Sequence, residues 1–268
     1  MIKNRIAEFL IRRAVAMHSI NQKDLDNWEP WLGCRQISEA CKNCYYYSKD
    51  SSSFGKTEFQ KTDDFYKPMS KIPSGKLIAT CFMTDFFIEE ADEVRNEAWK
   101  IIKKRVDLIF IILTKRIERV EKCLPNGWGD GYNNVILGCT VENQKRADER
   151  LPIFSKLPAK YKFISCVPLL AKIDLSIYLD AIKFVAVGGE IGKNARLCDY
   201  NWILDIREQC IQNNATFWFK NSGSKLKFNR KIKNIHPFFQ NNFAKKSNIN
   251  VLQIENLDIR QAFGKRTI

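Results

Sequence analysis

From residue 76 onward, short and almost wholly apolar runs alternate with stretches whose apolar residues recur every three or four positions. This alternation constrains the fold more than any other feature of the chain. The apolar runs are Lys76–Cys81, Leu108–Leu113, Asn134–Cys139, Lys162–Val167, Lys183–Gly188 and Thr216–Lys220. Being rich in β-branched and aromatic residues and apolar on both faces, they read as strands buried on both sides, as in parallel sheets covered by crossover helices. Between the first two, Val94, Ala98, Ile101 and Ile102 line one face of a predicted helix over Ala91–Arg105. Helices are likewise predicted over Asn143–Leu157, Leu175–Ile182 and Asp199–Gln212, the last opening on Asp199 as N-cap. Strand starts fall about 21 to 33 residues apart, the length of a strand, a helix and two loops. The fold class is therefore α/β. The six strands, with a further one expected near Trp28–Gly33, suit a partial or complete parallel β/α barrel, TIM-barrel-like, over residues 1–222, with a basic C-terminal extension over 223–268. In such folds functional side chains gather at the carboxyl ends of the strands.

Composition narrows the function. The longest uninterrupted apolar run, Leu108–Leu113, has six residues, against the roughly 20 needed to cross a bilayer. The N-terminal stretch carries Lys3, Arg5 and Glu8 and is closed by Arg12 and Arg13, unlike an export signal, so a cytoplasmic protein without a membrane span is expected. Nine cysteines in such a chain point to thiols or metal ligands rather than a disulfide framework. The two histidines, His18 and His236, lie in no nucleophile or metal motif, which argues against triad hydrolysis and histidine-rich zinc catalysis. Residues 48–75 and 123–133 read as irregular loops. The net charge is +14, and residues 220–268 hold eleven Lys/Arg against two acids. Such a basic pole predicts a polyanionic partner, most simply nucleic acid. A merely solvated basic face is the alternative.

The most informative stretch is WEPWLGCRQISEACKNCYYY, Trp28 to Tyr47, with Cys34, Cys41 and Cys44 spaced C-x6-C-x2-C. Thiolates are soft ligands suited to iron–sulfur clusters and zinc. Three ligands leave one position open, as a catalytic centre requires, whereas a structural site usually takes four. Cys81, Cys139 and Cys166, at or near predicted strand ends, are candidates for a fourth. A zinc site and unligated buried cysteines remain the alternatives.

This motif resembles that of radical S-adenosylmethionine enzymes, in which three cysteines, the last pair C-x-x-C followed by an aromatic (here Tyr45), hold a [4Fe-4S] cluster. The first gap departs from that pattern, six residues standing where three is usual. From about Trp28 to Ser222 the chain more closely resembles a phage and mobile-element family of unknown function, through EPWLGC, CKNCY, MTDFF, LTKR, LGCTVENQ, RADER, FISCVPLL, VAVGGEIG and WFK. The resemblance implies that Cys34, Cys41 and Cys44 hold the cluster, that S-adenosylmethionine is the second cofactor, and that an electron donor drives formation of a 5'-deoxyadenosyl radical. The cofactors carry the hard chemistry and the barrel orients them. It also places Thr84 and Asp85 where such an enzyme holds the methionine amino end; the usual Gly-Gly-Glu is absent there.

Other strand ends supply further candidates. Thr114 and Lys115, with Arg116, follow an apolar strand and suit a carboxylate or phosphate, unless the two cations simply begin a solvated helix. Thr140, Glu142 and Asn143 form a polar cluster that can meet ribose hydroxyls, although Asn143 also suits an N-cap. Gly188, Gly189 and Glu190 suit close backbone approach to a ligand or an ordinary strand-to-loop turn. In FISCVPLL, Val167 stands where the family pattern carries an acid, and Cys166 reads as a buried strand end. Lys220 is a lone lysine near the barrel mouth, placed to meet a phosphate or to snorkel off Trp218. Trp28, Trp31, Tyr45, Tyr46 and Tyr47 can stack on adenine or a substrate base, or wall the metal from water; Tyr45 is expected to do the latter. The reading is a radical enzyme acting on a nucleic acid or nucleotide. The alternatives are a zinc-cysteine nucleic-acid-binding protein without catalysis, and the same radical chemistry on a small molecule or peptide.

Overall fold

The computed structural model describes residues 25–47 and 58–253. The charged N-terminal stretch, His18, part of the irregular 48–75 segment and the last cations of the tail lie outside the described residues. In chain order the strands are β1 (Leu25–Trp28), β2 (Trp31–Leu32), β3 (Gln60–Lys61), β4 (Leu77–Thr80), β5 (Ile109–Thr114), β6 (Val135–Thr140), β7 (Lys162–Cys166), β8 (Phe184–Gly188), β9 (Cys198–Asp199), β10 (Thr216–Asn221), β11 (Lys225–Phe228) and β12 (Lys231–Asn234). The helices are α1 (Lys67–Ser70), α2 (Asp92–Lys104), α3 (Ile117–Val120), α4 (Gln144–Lys156), α5 (Tyr200–Gln212) and α6 (Pro237–Ser247).

Seven strands form one parallel sheet in the order β1-β4-β5-β6-β7-β8-β10. Spatial order follows chain order with no reversal, so the crossovers cover one face and the sheet curls as a half-barrel. The expected α/β class and partial barrel are what the structure shows. Strand residues alternate between two apolar layers. Ile78, Phe110, Ile112, Leu137, Ile164, Val185 and Phe217 pack under the helices with Ala98, Trp99 and Ile102 of α2. Leu77, Ile109, Ile111 and Phe163 fill the floor of the concave side. Each such side chain contributes roughly 1.5–3 kcal/mol on burial. Gly138 keeps that floor flat, because a Cβ there would stand 2.3 Å from the Phe163 ring.

The six strands read from the pattern occur within a residue or two, as do the helices α2, α4 and α5. Asp199 caps α5 by accepting from the Asn201 N–H (3.0 Å), and Asn143 caps α4 by accepting from Arg146 (3.0 Å). Two expectations need correction. Leu175–Ile182 is no α-helix and holds a single 3-10 turn, Ser176–Tyr178. Most of its backbone bonds run three residues back, from Tyr178 N to Leu175 O, Leu179 N to Ser176 O and Ala181 N to Tyr178 O, the 3-10 pattern, whose poorer geometry rarely extends beyond about 3–4 residues. Gln209 Oε1 accepts from Leu175 N and Asp174 Oδ1 from Ser176 N, capping the start of the turn. The strand expected near Trp28–Gly33 splits in two. The sheet strand β1 ends at Trp28, because Pro30 has no N–H for a ladder, and Trp31–Leu32 pairs antiparallel with β3. Among the described residues no helix is long and apolar enough to cross a membrane.

Beyond the sheet, β11 pairs with β12 as a hairpin and with β9 in parallel, and α6 packs beside β10.

Candidate functional site

The segment between β1 and β4 carries the three motif cysteines and lies at the carboxyl ends of the strands. Gly33 starts it with φ +97°, passing so close to the neighbouring backbone that a Cβ would stand 2.5 Å from the Glu58 carbonyl oxygen. Only glycine meets both demands. Two tight 3-10 turns follow, Glu39–Cys41 and Tyr45–Tyr47, linked by hydrogen bonds from Cys44 N to Cys41 O (3.2 Å) and from Tyr47 N to Cys44 O (3.0 Å). Cys41 is buried, Cys34 and Cys44 are half-buried, and all three are free thiols. Burial pushes the Cys34 and Cys44 thiols up; the Arg116 guanidinium works against this at Cys34, and each of the two feels Cys41 nearby. Among the described residues, no three His, Cys, Asp or Glu side chains are gathered closely enough to hold a metal ion. The thiols therefore share a neighbourhood without forming a preassembled cage. As a donor set they still fit a thiophilic centre: three free soft ligands on one loop, with no histidine among them.

The loop is clamped by buried charges from successive strand ends. After β4, Asp85 accepts from Thr114 Oγ1 (2.8 Å), Lys115 N (3.1 Å) and Phe87 N (2.9 Å) and pairs with Arg116 (3.3 Å). Arg116 in turn donates to the Arg35 carbonyl (2.9 Å), beside Cys34. After β6, Glu142 pairs with Arg150 (2.9 Å) and accepts from Ala40 N (3.5 Å), the residue before Cys41. After β8, Glu190 pairs with Arg196 and accepts from Asn43 Nδ2 (3.2 Å), inside the C-K-N-C turn. Arg196 also donates to the Glu39 carbonyl (2.9 Å), and Arg146 grips the Glu39 carboxylate (2.9 Å). Burial opposes ionisation of Glu190, but the Arg196 hydrogen bonds outweigh it and hold its pKa low. The side chains of Asp85, Glu142 and Glu190 are 5%, 0% and 5% exposed.

Of the residues singled out from sequence, Glu142 and Glu190 contact the cysteine loop directly and Asp85 does so through Arg116, and most of the others are engaged elsewhere. Thr84 Oγ1 donates to Glu29 Oε2 (3.0 Å), Asn143 is the α4 cap, and Tyr45 donates its hydroxyl to the Phe82 carbonyl (2.8 Å). Thr140 Oγ1 is buried without a hydrogen-bond partner. The space beside Gly188 and Gly189 is filled by the chain itself, since a Cβ on Gly189 would stand 2.5 Å from the Ser222 carbonyl oxygen. That is the strand-to-loop reading. Arg116 is buried and paired, so it does not begin a solvated helix. Among the aromatics, Trp28, Trp31 and Tyr46 are core residues at 0%, 0% and 1% exposure, unable to stack on a ligand. Cys81, Cys139 and Cys166 are buried too.

Glu29 escaped the sequence reading. Its carboxylate accepts from Met83 N (2.9 Å) and Thr84 Oγ1, tying the end of β1 to the loop after β4. Burial raises its pKa to about 7, against the hydrogen bonds that lower it. The available signal was an acid set between two core tryptophans in WEPW. Lys220 sits where the β10 register shifts between Phe219 and Asn221. Its side chain is exposed, yet enough protein surrounds the amine to lower its pKa.

Comparison with known proteins returns no match among curated proteins and none among solved structures. A family model described as a protein of unknown function, DUF5131, matches residues 19–253. With most of its length matched, and with the cysteine loop and every strand end that clamps it inside the match, this chain belongs to the DUF5131 family.

Proposed function

We propose that the cysteine loop is the metal-binding centre of a radical S-adenosylmethionine enzyme, with Cys34, Cys41 and Cys44 as ligands of a [4Fe-4S] cluster. The observation that carries this reading is how the loop is held. Arg116, Glu142, Glu190 and Arg196 grip its backbone and the Asn43 amide, while the three thiols remain free above a half-barrel. Positioning the backbone while the sulfurs stay free of disulfides, with only long contacts from Cys34 Sγ to the Arg35 carbonyl (3.7 Å) and between Ser38 Oγ and Cys41 Sγ (3.8 Å), is what a ligand loop needs. The chemistry supplied by the bound cofactors would be one-electron cleavage of the sulfonium C–S bond, giving methionine and a 5'-deoxyadenosyl radical, with the electron coming from an external donor. The chain's own part is to fix the loop and close the floor with Leu77, Ile109, Ile111 and Phe163. The substrate class we infer is nucleic acid, supported by the net charge of +14.

The test is anaerobic reconstitution followed by iron analysis and measurement of 5'-deoxyadenosine. Wild type should take up about four irons and form 5'-deoxyadenosine with a strong reductant. Alanine at Cys34, Cys41 or Cys44 should lose both, whereas Cys123→Ala and Cys210→Ala should retain them. Zinc in place of iron, with no 5'-deoxyadenosine, would overturn the enzyme reading in favour of a zinc-cysteine binding protein.

A further inference from the structure

The C-terminal hairpin is built unlike the rest of the molecule. Its root is fixed in the core: Leu226 is buried, and Phe228 packs edge-on against Tyr200 (4.9 Å) and Phe243 (5.6 Å). Its outer part is all charge and exposure. Every residue of β12 is exposed, including Lys231, Ile232 and Lys233. Cross-strand pairing puts Lys225 on one face and Lys231 with Lys233 on the other. The tip is a two-residue turn, Asn229-Arg230, in which Arg230 has φ +62°. Glycine is the usual occupant of that conformation, so a bulky cation is held at the tip at a backbone cost. Of the hairpin's cations only Lys227 is ion-paired among the described residues, to Asp199 (2.8 Å).

Two exposed aromatics stand just after β12. Phe238 and Phe239 open α6 at 74% and 55% exposure, with ring centroids 5.2 Å apart. The helix start is tied to the hairpin root through Ser224, which accepts from Ile235 N (2.8 Å) and meets Gln240 (2.9 Å), and exposed phenylalanines together with lysines lacking ion-pair partners are the elements of a cationic stacking platform. The platform is joined to the cysteine loop by a short chain of hydrogen bonds. Asn43 reaches Glu190, the Glu190 carbonyl accepts from Ser224 N (2.8 Å), and Ser224 Oγ meets Gln240 Nε2 (2.9 Å), one residue beyond Phe239.

We propose that this hairpin and the Phe238–Phe239 pair form the landing surface for single-stranded nucleic acid, holding its phosphates with Arg230 at the tip and Lys231 and Lys233 on one face, and stacking unpaired bases on the two rings. The inference deepens the nucleic-acid part of the proposed function and rests on it only for that choice; it does not depend on the identity of the metal. A single strand is favoured over a duplex because aromatic faces can only meet bases that are out of the helical stack.

The experiment measures binding of the full-length protein to a fluorescent oligonucleotide by anisotropy over a salt series, with single-stranded DNA, single-stranded RNA and duplex DNA arms and with heparin as a base-free polyanion. Replacing Arg230, Lys231 and Lys233 together by Gln should flatten the log–log salt slope on single strands by about 2, at roughly 0.7 for each phosphate no longer neutralised. Phe238→Ala with Phe239→Ala should weaken single-strand binding by about 5- to 150-fold per stacked base, leaving the salt slope and heparin binding unchanged. Phe238→Trp, which keeps a stacking face, should bind as well as wild type or better. A wild-type slope in the Gln variant, or equal losses on heparin and single strands in the Phe variant, would overturn the proposal. The DNA and RNA arms show which sugar is preferred. Cys41→Ala should bind like wild type while losing iron, so failure of the metal reading and failure of this one are read separately.

Discussion

The cysteine loop and the C-terminal hairpin both depend on charged side chains, yet they use them in opposite ways. Around the loop, Asp85, Glu142 and Glu190 are almost fully buried and each faces an arginine, Arg116, Arg150 or Arg196. On the hairpin, Lys225, Arg230, Lys231 and Lys233 are exposed and have no ion-pair partner among the described residues. Buried pairs repay little of their desolvation cost as net stability, but they fix geometry. Exposed unpaired cations fix nothing and project a field. The first arrangement positions and the second attracts.

That contrast makes ordered predictions. The largest effect belongs to the loop clamp: Arg150→Ala leaves the Glu142 carboxylate buried and uncompensated and should cost about 3–5 kcal/mol in denaturant unfolding, with Glu142→Gln costing less. Next is Glu29, whose pKa rises from 4.5 to about 7 on folding. Between those values the folded chain keeps a proton that the unfolded chain releases, so the Glu29 contribution to stability should be fully present below pH 4.5 and be lost as pH rises towards 7, by at most about 3 kcal/mol. Glu29→Gln should flatten that decline in thermal melts across the window. Gly33→Ala, which collides with Glu58 and strains a positive φ, should cost about 1–3 kcal/mol and raise the reactivity of Cys34 and Cys44 to a thiol reagent. Asn143→Ala should lose about 1 kcal/mol by removing the α4 cap. Smallest of all, Lys231→Ala should move stability by no more than about 0.5 kcal/mol. A Lys231→Ala variant as unstable as Arg150→Ala would erase the distinction between the two regions.

Much of the fold was legible because its signal is periodic. An apolar run such as Leu108–Leu113 must be buried on both faces, and Val94, Ala98, Ile101 and Ile102 must share one. Leu175–Ile182 differs because most of its backbone bonds run three residues back, as from Tyr178 N to Leu175 O and Leu179 N to Ser176 O, and the spacing of apolar residues over eight positions does not separate a 3-10 turn from an α-helix. The candidate site was legible in location but not in role. Glu142 and Glu190 were found as polar residues at strand ends, but nothing local in the sequence shows that Arg150 and Arg196 occupy their carboxylates. Glu29 was missed for a related reason: its partners are largely backbone N–H groups of the loop after β4, and a backbone donor leaves no trace in residue identity. The tryptophans of the motif pack against Phe65, Phe110 and Phe86, partners 37 to 82 residues away in sequence, so residue type alone does not separate a core tryptophan from a stacking one.

The seven strands run in order from β1 to β10, and among the described residues those two outermost strands do not pair with each other. A closed ring of strands can be entered only through its ends, so a polymer would have to be threaded. A wall that stops partway round is a trough, and a trough admits a chain from the side, at any point along its length. For the single strand proposed above, this geometry sets no requirement for a free end, so a circular one should be admitted as readily as a linear one.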